Sequence, residues 1–295
     1  MSDEANSIVE PGSMADRALV MGIVNVTPDS FSDGGAWPDA ASAVQHGLDL
    51  VAQGADIVDV GGESSRPGAV VVPVDEELRR VLPVIEALSP HVRVSVDTVK
   101  PEVAEAAVAA GATLINDVSA SLWQVASACG VGWVAMHRRG TPTTMQDDPR
   151  YDDVVTEVRD TLLERAARAA EAGVSDIWID PGIGFGKTVQ HNLSLLAHLD
   201  VLVETGFPVL VGTSRKAFLG TLAASEDGTV PPPTERLAGS LATATLALHL
   251  GAGMVRVHDV AATVQAARLV GRTVQQAGEG VQVGRNSSGH DEVQA

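Results

Sequence analysis

Eight apolar runs of strand length, rich in Val, Ile and Leu, recur along the chain: Leu19–Val26, Asp56–Gly62, Val92–Asp97, Thr113–Val118, Trp133–His137, Asp176–Asp180, Pro208–Val211 and Met254–His258. None shows sustained alternation of apolar and polar positions, and continuous runs of this length suit parallel strands covered on both faces. Between them, apolar positions return every 3.6 residues. This predicts helices over Ala40–Ala52, Asp75–Leu88, Glu102–Ala110, Ser121–Cys129, Asp153–Ala172, Asn192–Glu204, Thr234–Leu250 and Val260–Gln276. Pro101 falls in the first turn of its helix with Thr98 as candidate cap, and Gly54, Gly111, Gly173, Gly206 and Gly251 each follow a helical run where a left-handed cap is needed.

Strand and helix alternate eight times, which predicts a single-domain α/β protein, a closed (β/α)8 TIM barrel over 17–277 with mobile ends at 1–16 and 278–295. A doubly wound open sheet is the alternative, but it would gather polar groups at one switch point. Here almost every run ends in polar or charged residues: Asn25, Glu63 to Arg66, Asp97, Asn116, His137, Asp180, Ser214 to Lys216, and Arg256 with His258. A barrel delivers all of these to one mouth, where the active sites of such barrels lie.

Composition narrows the class. Hydrophobic residues at 45% supply a large core, and aromatics at only 3% mean that it is built from Ala, Val, Leu and Ile. A formal charge of −18 argues against nucleic acid or an anionic membrane as partner, so any anionic substrate must be attracted locally. The first residues lack a secretion signal and no run reaches membrane-spanning length, which predicts a cytoplasmic protein. Cys129 cannot form an intramolecular disulfide and reads as a small buried helix residue.

Two chemistries share the expected mouth. Arg66, Lys216, Arg256 and His258, with Ser65 and Ser214 as donors, suit a phosphate or diphosphate. Asp97, Asn116 and Asp180 suit a heterocycle that presents N–H and carbonyl groups together. The bland readings are ion pairing for each cation and helix capping for the carboxylates. Two glycine-containing loops, Thr27–Ala36 and Glu63–Val72, are long for such a fold and are candidates to cover a substrate.

The stretch from Met21 to Gly35, MGIVNVTPDSFSDGG, and that from Asp59 to Ala69, DVGGESSRPGA, resemble the two signatures of the dihydropteroate synthase family. Ser95-Val96-Asp97-Thr98, Ile115-Asn116-Asp117-Val118, Met136-His137, the run DPGIGFGK from Asp180 to Lys187, Ser214-Arg215-Lys216 and Arg256-Val257-His258 follow in family order, so the resemblance covers about residues 19 to 275. It implies the same barrel and a transferase that condenses 6-hydroxymethyl-7,8-dihydropterin diphosphate with p-aminobenzoate, giving 7,8-dihydropteroate and pyrophosphate for folate biosynthesis.

By that resemblance Asp97, Asn116, Met136, Asp180, Phe185 and Lys216 form the pterin pocket. Asn25, Ser65, Arg66, Arg256 and His258 bind diphosphate, with Asn25 also near a Mg²⁺ cofactor, and Asp97, Lys216, Arg256 and His258 carry the chemistry. Phe31, Arg66, Pro67 and Ser214 surround p-aminobenzoate, and sulfonamides are expected to inhibit. The implied reaction is dissociative, with diphosphate leaving a delocalised pterin cation, so no Schiff base at Lys216 is needed. Ala217 stands where many relatives carry a serine, and Ser65 where many carry threonine. A homodimer is implied, with Leu241, Leu246, Leu248, Val264 and Leu269 as a candidate face. A pterin-dependent methyltransferase and a non-catalytic pterin-binding paralogue are the rival readings. The methyltransferases lack the Ser-Arg-Lys and Arg-x-His motifs.

Overall fold

The computed structural model describes residues 18–27, 40–64, 69, 71–141 and 143–279, the stretch 271–279 by its backbone alone. Strands β1 (Leu19–Asn25), β2 (Ile57–Gly61), β3 (Arg93–Asp97), β4 (Leu114–Asp117), β5 (Gly132–Met136), β6 (Ile177–Asp180), β7 (Leu210–Val211) and β8 (Met254–Val257) form one parallel sheet in the order β6-β5-β4-β3-β2-β1-β8-β7. A parallel bridge between Ile179 and Val209 joins its two edges, with the Ile179 N–H donating to the Pro208 carbonyl at 3.0 Å. The sheet is thus a nearly closed barrel, and one mouth holds all eight strand ends.

Helices α1 (Ala40–Ala52), α2 (Val74–Leu88), α3 (Pro101–Ala109), α4 (Trp123–Cys129), α5 (Val154–Glu171), α6 (Val189–Ala197), α7 (Asp200–Val203), α8 (Ala217–Leu222), α9 (Leu237–His249) and α10 (Val260–Glu279) surround it. The five glycines expected as left-handed caps all have positive φ. Four expectations need correction. The helix expected over 192–204 is two, and α6 starts earlier because Thr188 and His191 close a capping box. The helix expected from Thr234 starts at Leu237, after a 3₁₀ turn at Pro233–Glu235 that follows two further prolines, and α8 precedes it unforeseen. Lys100, not Thr98, is the N-cap of α3, while the Thr98 hydroxyl donates to Glu77 and accepts from the Lys100 N–H just before the helix. Cys129 is exposed, because it ends the short α4 beside the left-handed Gly130.

The register divides every strand into two faces, since parallel neighbours share a face. Outward positions such as Val20, Val24, Val58, Val60, Val94, Val96, Ile115 and Trp133 join the large core under the helices. Inward positions form a second, smaller core of Leu19, Met21, Ile57, Leu114, Val134, Trp178, Leu210 and Met254 that fills the barrel floor. Above this plug the inward side chains turn polar. The terminal segments 1–16 and 280–295 lie outside the described residues, and α10 continues past the expected boundary at 277 to Glu279.

Candidate active site

The registers Asn25–Gly61–Asp97–Asn116 and Ile23–Asp59–Ser95 place these positions of β1 to β4 side by side on the inner wall, tier by tier, above the apolar plug. Arg256, one step above Met254 on β8, crosses this space. Its Nε donates to Asp59 Oδ2 at 2.6 Å and its second guanidinium nitrogen donates to Asp97 Oδ2 at 2.8 Å. The Asn116 amide donates to the same Asp59 oxygen at 2.9 Å. Asp59, Asn116 and Arg256 therefore lock one another, and the cost of burying their charge is offset by these contacts. Among the described residues three inner atoms remain without a partner, Asp59 Oδ1, Asn116 Oδ1 and Ser95 Oγ. Buried polar atoms left open inside a site are the groups that a polar ligand would satisfy.

The opposite wall comes from β6, β7 and the loop after β6. Asp180 accepts from the Gly182 N–H at 2.7 Å. Gly182 has φ +64, and a Cβ there would stand 1.9 Å from the His137 carbonyl oxygen, so the loop can pass this close to β5 only with glycine. Lys216 Nζ donates to the Ile183 carbonyl and sits 4.7 Å from the centroid of the Phe185 ring, a cation–π distance. Behind this wall, buried Lys187 donates to the Gly182 and Phe185 carbonyls at 3.0 and 3.1 Å and lies 3.0 Å from His137 Nδ1. One ammonium thereby pins the Phe185 loop to the end of β5.

Burial dominates the protonation equilibria. It pushes Asp97 up to about 7, against the opposing pull of Arg256, and also raises Asp180 despite nearby Lys216. It brings Lys216 down to about 8, Lys187 to about 7 and His137 to about 3, so His137 is neutral and one of its ring nitrogens can accept a hydrogen bond.

On the third side, Ser214 Oγ lies 3.0 Å from His258 Nδ1 and also accepts from the His258 backbone N–H at 3.2 Å. The two residues come from different strand ends, β7 and β8, and meet at the rim. Asn25 ends β1, partly exposed at the same mouth. Among the described residues no cluster of three His, Cys, Asp or Glu offers a self-contained metal cage.

The structure therefore gathers Asn25, Asp97, Asn116, Met136, Asp180, Phe185, Lys216, Ser214, Arg256 and His258 around one mouth. Phe31, Ser65, Arg66 and Pro67 lie outside the described residues. Glu63 bounds the second loop, where it accepts from the Val72 N–H at 2.7 Å and pairs with Lys100 at 2.6 Å. Arg256, expected on the diphosphate side, is engaged by Asp59 and Asp97, on the side expected to hold the heterocycle. Sequence reasoning missed Asp59 as a site residue. Its signal was a carboxylate inside the run Ile57-Val58-Asp59-Val60, since a fully buried charge in a strand requires a partner. Asp117, in contrast, is spent on structure, accepting from the Ser119, Ser121 and Leu122 N–H groups and from the Trp133 indole.

The family profile described as pterin binding enzyme matches residues 21–258. The chain is 47% identical over 263 residues to the dihydropteroate synthase of Escherichia coli strain K12, covering 86% of this chain and 91% of that one. Its fold matches that of Xanthomonas albilineans dihydropteroate synthase solved with 4-aminobenzoic acid, with TM-score 0.79 and 52% identity over 90% of this chain and 94% of that one. It also matches the Yersinia pestis dihydropteroate synthase solved with a sulfonamide drug, with TM-score 0.82 and 42% identity over 89% and 96% of the two chains.

Proposed function

The chain belongs to the family of pterin binding enzymes, among the dihydropteroate synthases, and from that premise we propose that its barrel mouth joins 6-hydroxymethyl-7,8-dihydropterin diphosphate to p-aminobenzoate. The observation that carries this reading is the inner polar tier with its open acceptors, Asn116 Oδ1 and Asp59 Oδ1, facing a rim that bears Lys216 and His258. A pterin ring presents adjacent N–H groups and a carbonyl. Asn116 and Asp180 accept from the N–H edge, Lys216 donates to the ring's acceptors, and Met136 and Phe185 flank it. A site built to hydrogen-bond such an edge rejects rings that lack it, because its own polar atoms would stay unpaired.

In the reaction the bond between the pterin methylene carbon and the diphosphate oxygen breaks, and its electron pair leaves with pyrophosphate. The positive charge left on the pterin is stabilised by the Asp97 carboxylate. The amine nitrogen of p-aminobenzoate attacks the methylene carbon and then loses a proton to solvent. His258, Ser214 and Arg66 hold the leaving group, while Arg256 keeps Asp97 and Asp59 in place.

Among the described residues Asp59, Asp97 and Asp180 bring three carboxylates to the mouth against the two cations Lys216 and Arg256. A diphosphate needs further positive charge there. Mg²⁺ fits that need, since it takes oxygen ligands and keeps waters and phosphate oxygens in its shell. Asn25 would hold it, and its chemistry would be to neutralise the leaving diphosphate.

The protein acts in the cytoplasm as a homodimer in this reading. Leu246 and Leu269 stand exposed on α9 and α10, whereas Leu248 is buried and Val264 packs against the barrel core. Sulfonamides inhibit it. Mass spectrometry of a mixture of protein, both substrates and Mg²⁺ tests the reading: 7,8-dihydropteroate should form in equal amount with pyrophosphate. Binding of the pterin with no dihydropteroate formed would assign the chain to the non-catalytic paralogues.

A further inference from the structure

We propose that Arg215 and Asp259 are positioning residues for the reaction, a bidentate ion pair that fixes which way Ser214 and Lys216 point. The inference rests on the functional reading above, because it assigns those two neighbours to opposite sides of one substrate.

Thr213 to Lys216 form a tight turn, closed by the Lys216 N–H donating to the Thr213 carbonyl at 3.1 Å. Arg215 occupies its third position with φ +60, and a turn that demands positive φ there ordinarily selects glycine. Among the described residues Arg215 and Ala120 are the two non-glycine residues with positive φ. A side chain kept in this conformation at a functional site points to a use for that side chain.

Four contacts hold it. Arg215 Nη2 and Nε donate to the two oxygens of Asp259 at 2.6 and 3.1 Å. The Arg215 N–H donates to Ser240 Oγ at 2.9 Å, and its carbonyl accepts from Arg236 Nη1 at 3.0 Å. Both backbone groups are thus tied to the start of α9, and the side chain is tied to the residue that follows His258. The residue before Arg215 then meets His258, and the residue after it reaches the Ile183 carbonyl and the Phe185 ring. One strained residue therefore sends its two neighbours to the leaving-group side and the pterin side. Because Asp259 follows His258 directly, the pair also sets the β7 turn against the β8 end.

Arg215→Gly and Asp259→Asn separate this role from a merely structural one. Glycine relieves the positive φ while deleting the pin, and asparagine keeps the shape of Asp259 while deleting its charge. Both variants should melt within a few degrees of wild type. Each should lose about ten-fold or more in kcat, because a displacement of about 1 Å in a reacting group is costly. The double variant should be no worse than the poorer single one, since both remove the same interaction, and Arg215→Lys should restore part of the rate.

An unchanged kcat in both single variants would overturn the proposal. So would losses that multiply in the double variant, or a kcat loss that simply tracks the melting temperature. If Arg215→Gly fails to fold, Asp259→Asn alone decides. Should the wild-type protein itself make no dihydropteroate, the functional reading fails instead, a result distinct from variants that match an active wild type.

Discussion

Replacing Asp59 by Asn removes one negative charge from the floor of the site while leaving its hydrogen-bond geometry available. Both donors to this residue, Arg256 Nε at 2.6 Å and the Asn116 amide at 2.9 Å, converge on one oxygen, Oδ2. The amide oxygen of asparagine can take both. What disappears is the charge assistance on the Arg256 bond, on the order of 1 kcal/mol, because such bonds contribute about 1.5–3 kcal/mol against about 0.5–1.5 for neutral ones. The new amide N–H would occupy the place of Oδ1, which has no partner among the described residues, at a further cost of about 1–3 kcal/mol. Relief from burying a carboxylate offsets part of this. A net loss of about 1–3 kcal/mol corresponds to a fall of roughly 2–5 °C in melting temperature for a chain of this size.

The sharper consequence is electrostatic. Asp59 is one of the charges that raise the Asp97 pKa, so the variant's Asp97 must ionise at lower pH than the wild type's. If the Asp97 carboxylate stabilises the cation, the acid limb of kcat/KM shifts to more acidic pH in Asp59→Asn. Stability moves with it: a carboxyl whose folded pKa is raised stabilises the fold at acid pH and loses that contribution as pH rises through the folded value. Wild type therefore loses this contribution over the range from the usual carboxylate pKa up to about 7, and the variant over a narrower range. The assay is kcat/KM for the pterin diphosphate across pH 5–9 (roughly the span that brackets both shifted groups), with melting curves at each pH. An acid limb that stays in place or moves upward would refute the reasoning.

Burial brings Lys216 down to about 8, so kcat/KM should decline as pH rises through that value and the lysine loses its charge; residual activity of Lys216→Met should lack this alkaline limb. Gly182→Ala must push its Cβ away from a carbonyl oxygen 1.9 Å distant, and we expect both a melting temperature several degrees lower and weaker pterin binding by calorimetry. Gly212 is the reverse case. A Cβ there meets only ordinary contacts, 3.7 Å from Arg256 Cβ and 3.8 Å from Lys216 Nζ, so Gly212→Ala should fold with an unchanged circular dichroism spectrum yet raise the KM for the pterin by occupying its space.

The barrel was legible because period and punctuation agreed: apolar runs, helical stripes and glycine caps all marked the same boundaries. The polar strand ends were legible too, since an unpaired charge rarely continues a strand covered on both faces. The division into inner and outer wall was hidden. At the barrel floor both faces are apolar, so Leu19 and Val20, or Ile57 and Val58, look alike although they enter different cores. Asp59 escaped for the same reason, lying inside its strand rather than at the end. The partner of Arg256 was equally unreadable, as its carboxylates lie 197 and 159 residues away along the chain. The split of the helix after β6 and the short α8 depend on local capping and tertiary packing, which override apolar periodicity over so few residues.

The central claim is that the inner polar tier binds the pterin and supports its transfer to p-aminobenzoate. It is tested most directly by pyrophosphate release from the dihydropterin diphosphate with Mg²⁺, with and without p-aminobenzoate, in wild type and Asn116→Leu. The variant keeps the branching of the side chain and removes the amide. Release by wild type that depends on p-aminobenzoate, reduced at least about hundred-fold in kcat/KM by Asn116→Leu, is the predicted result. Equal release by both proteins would move the reaction away from this tier and contradict the account.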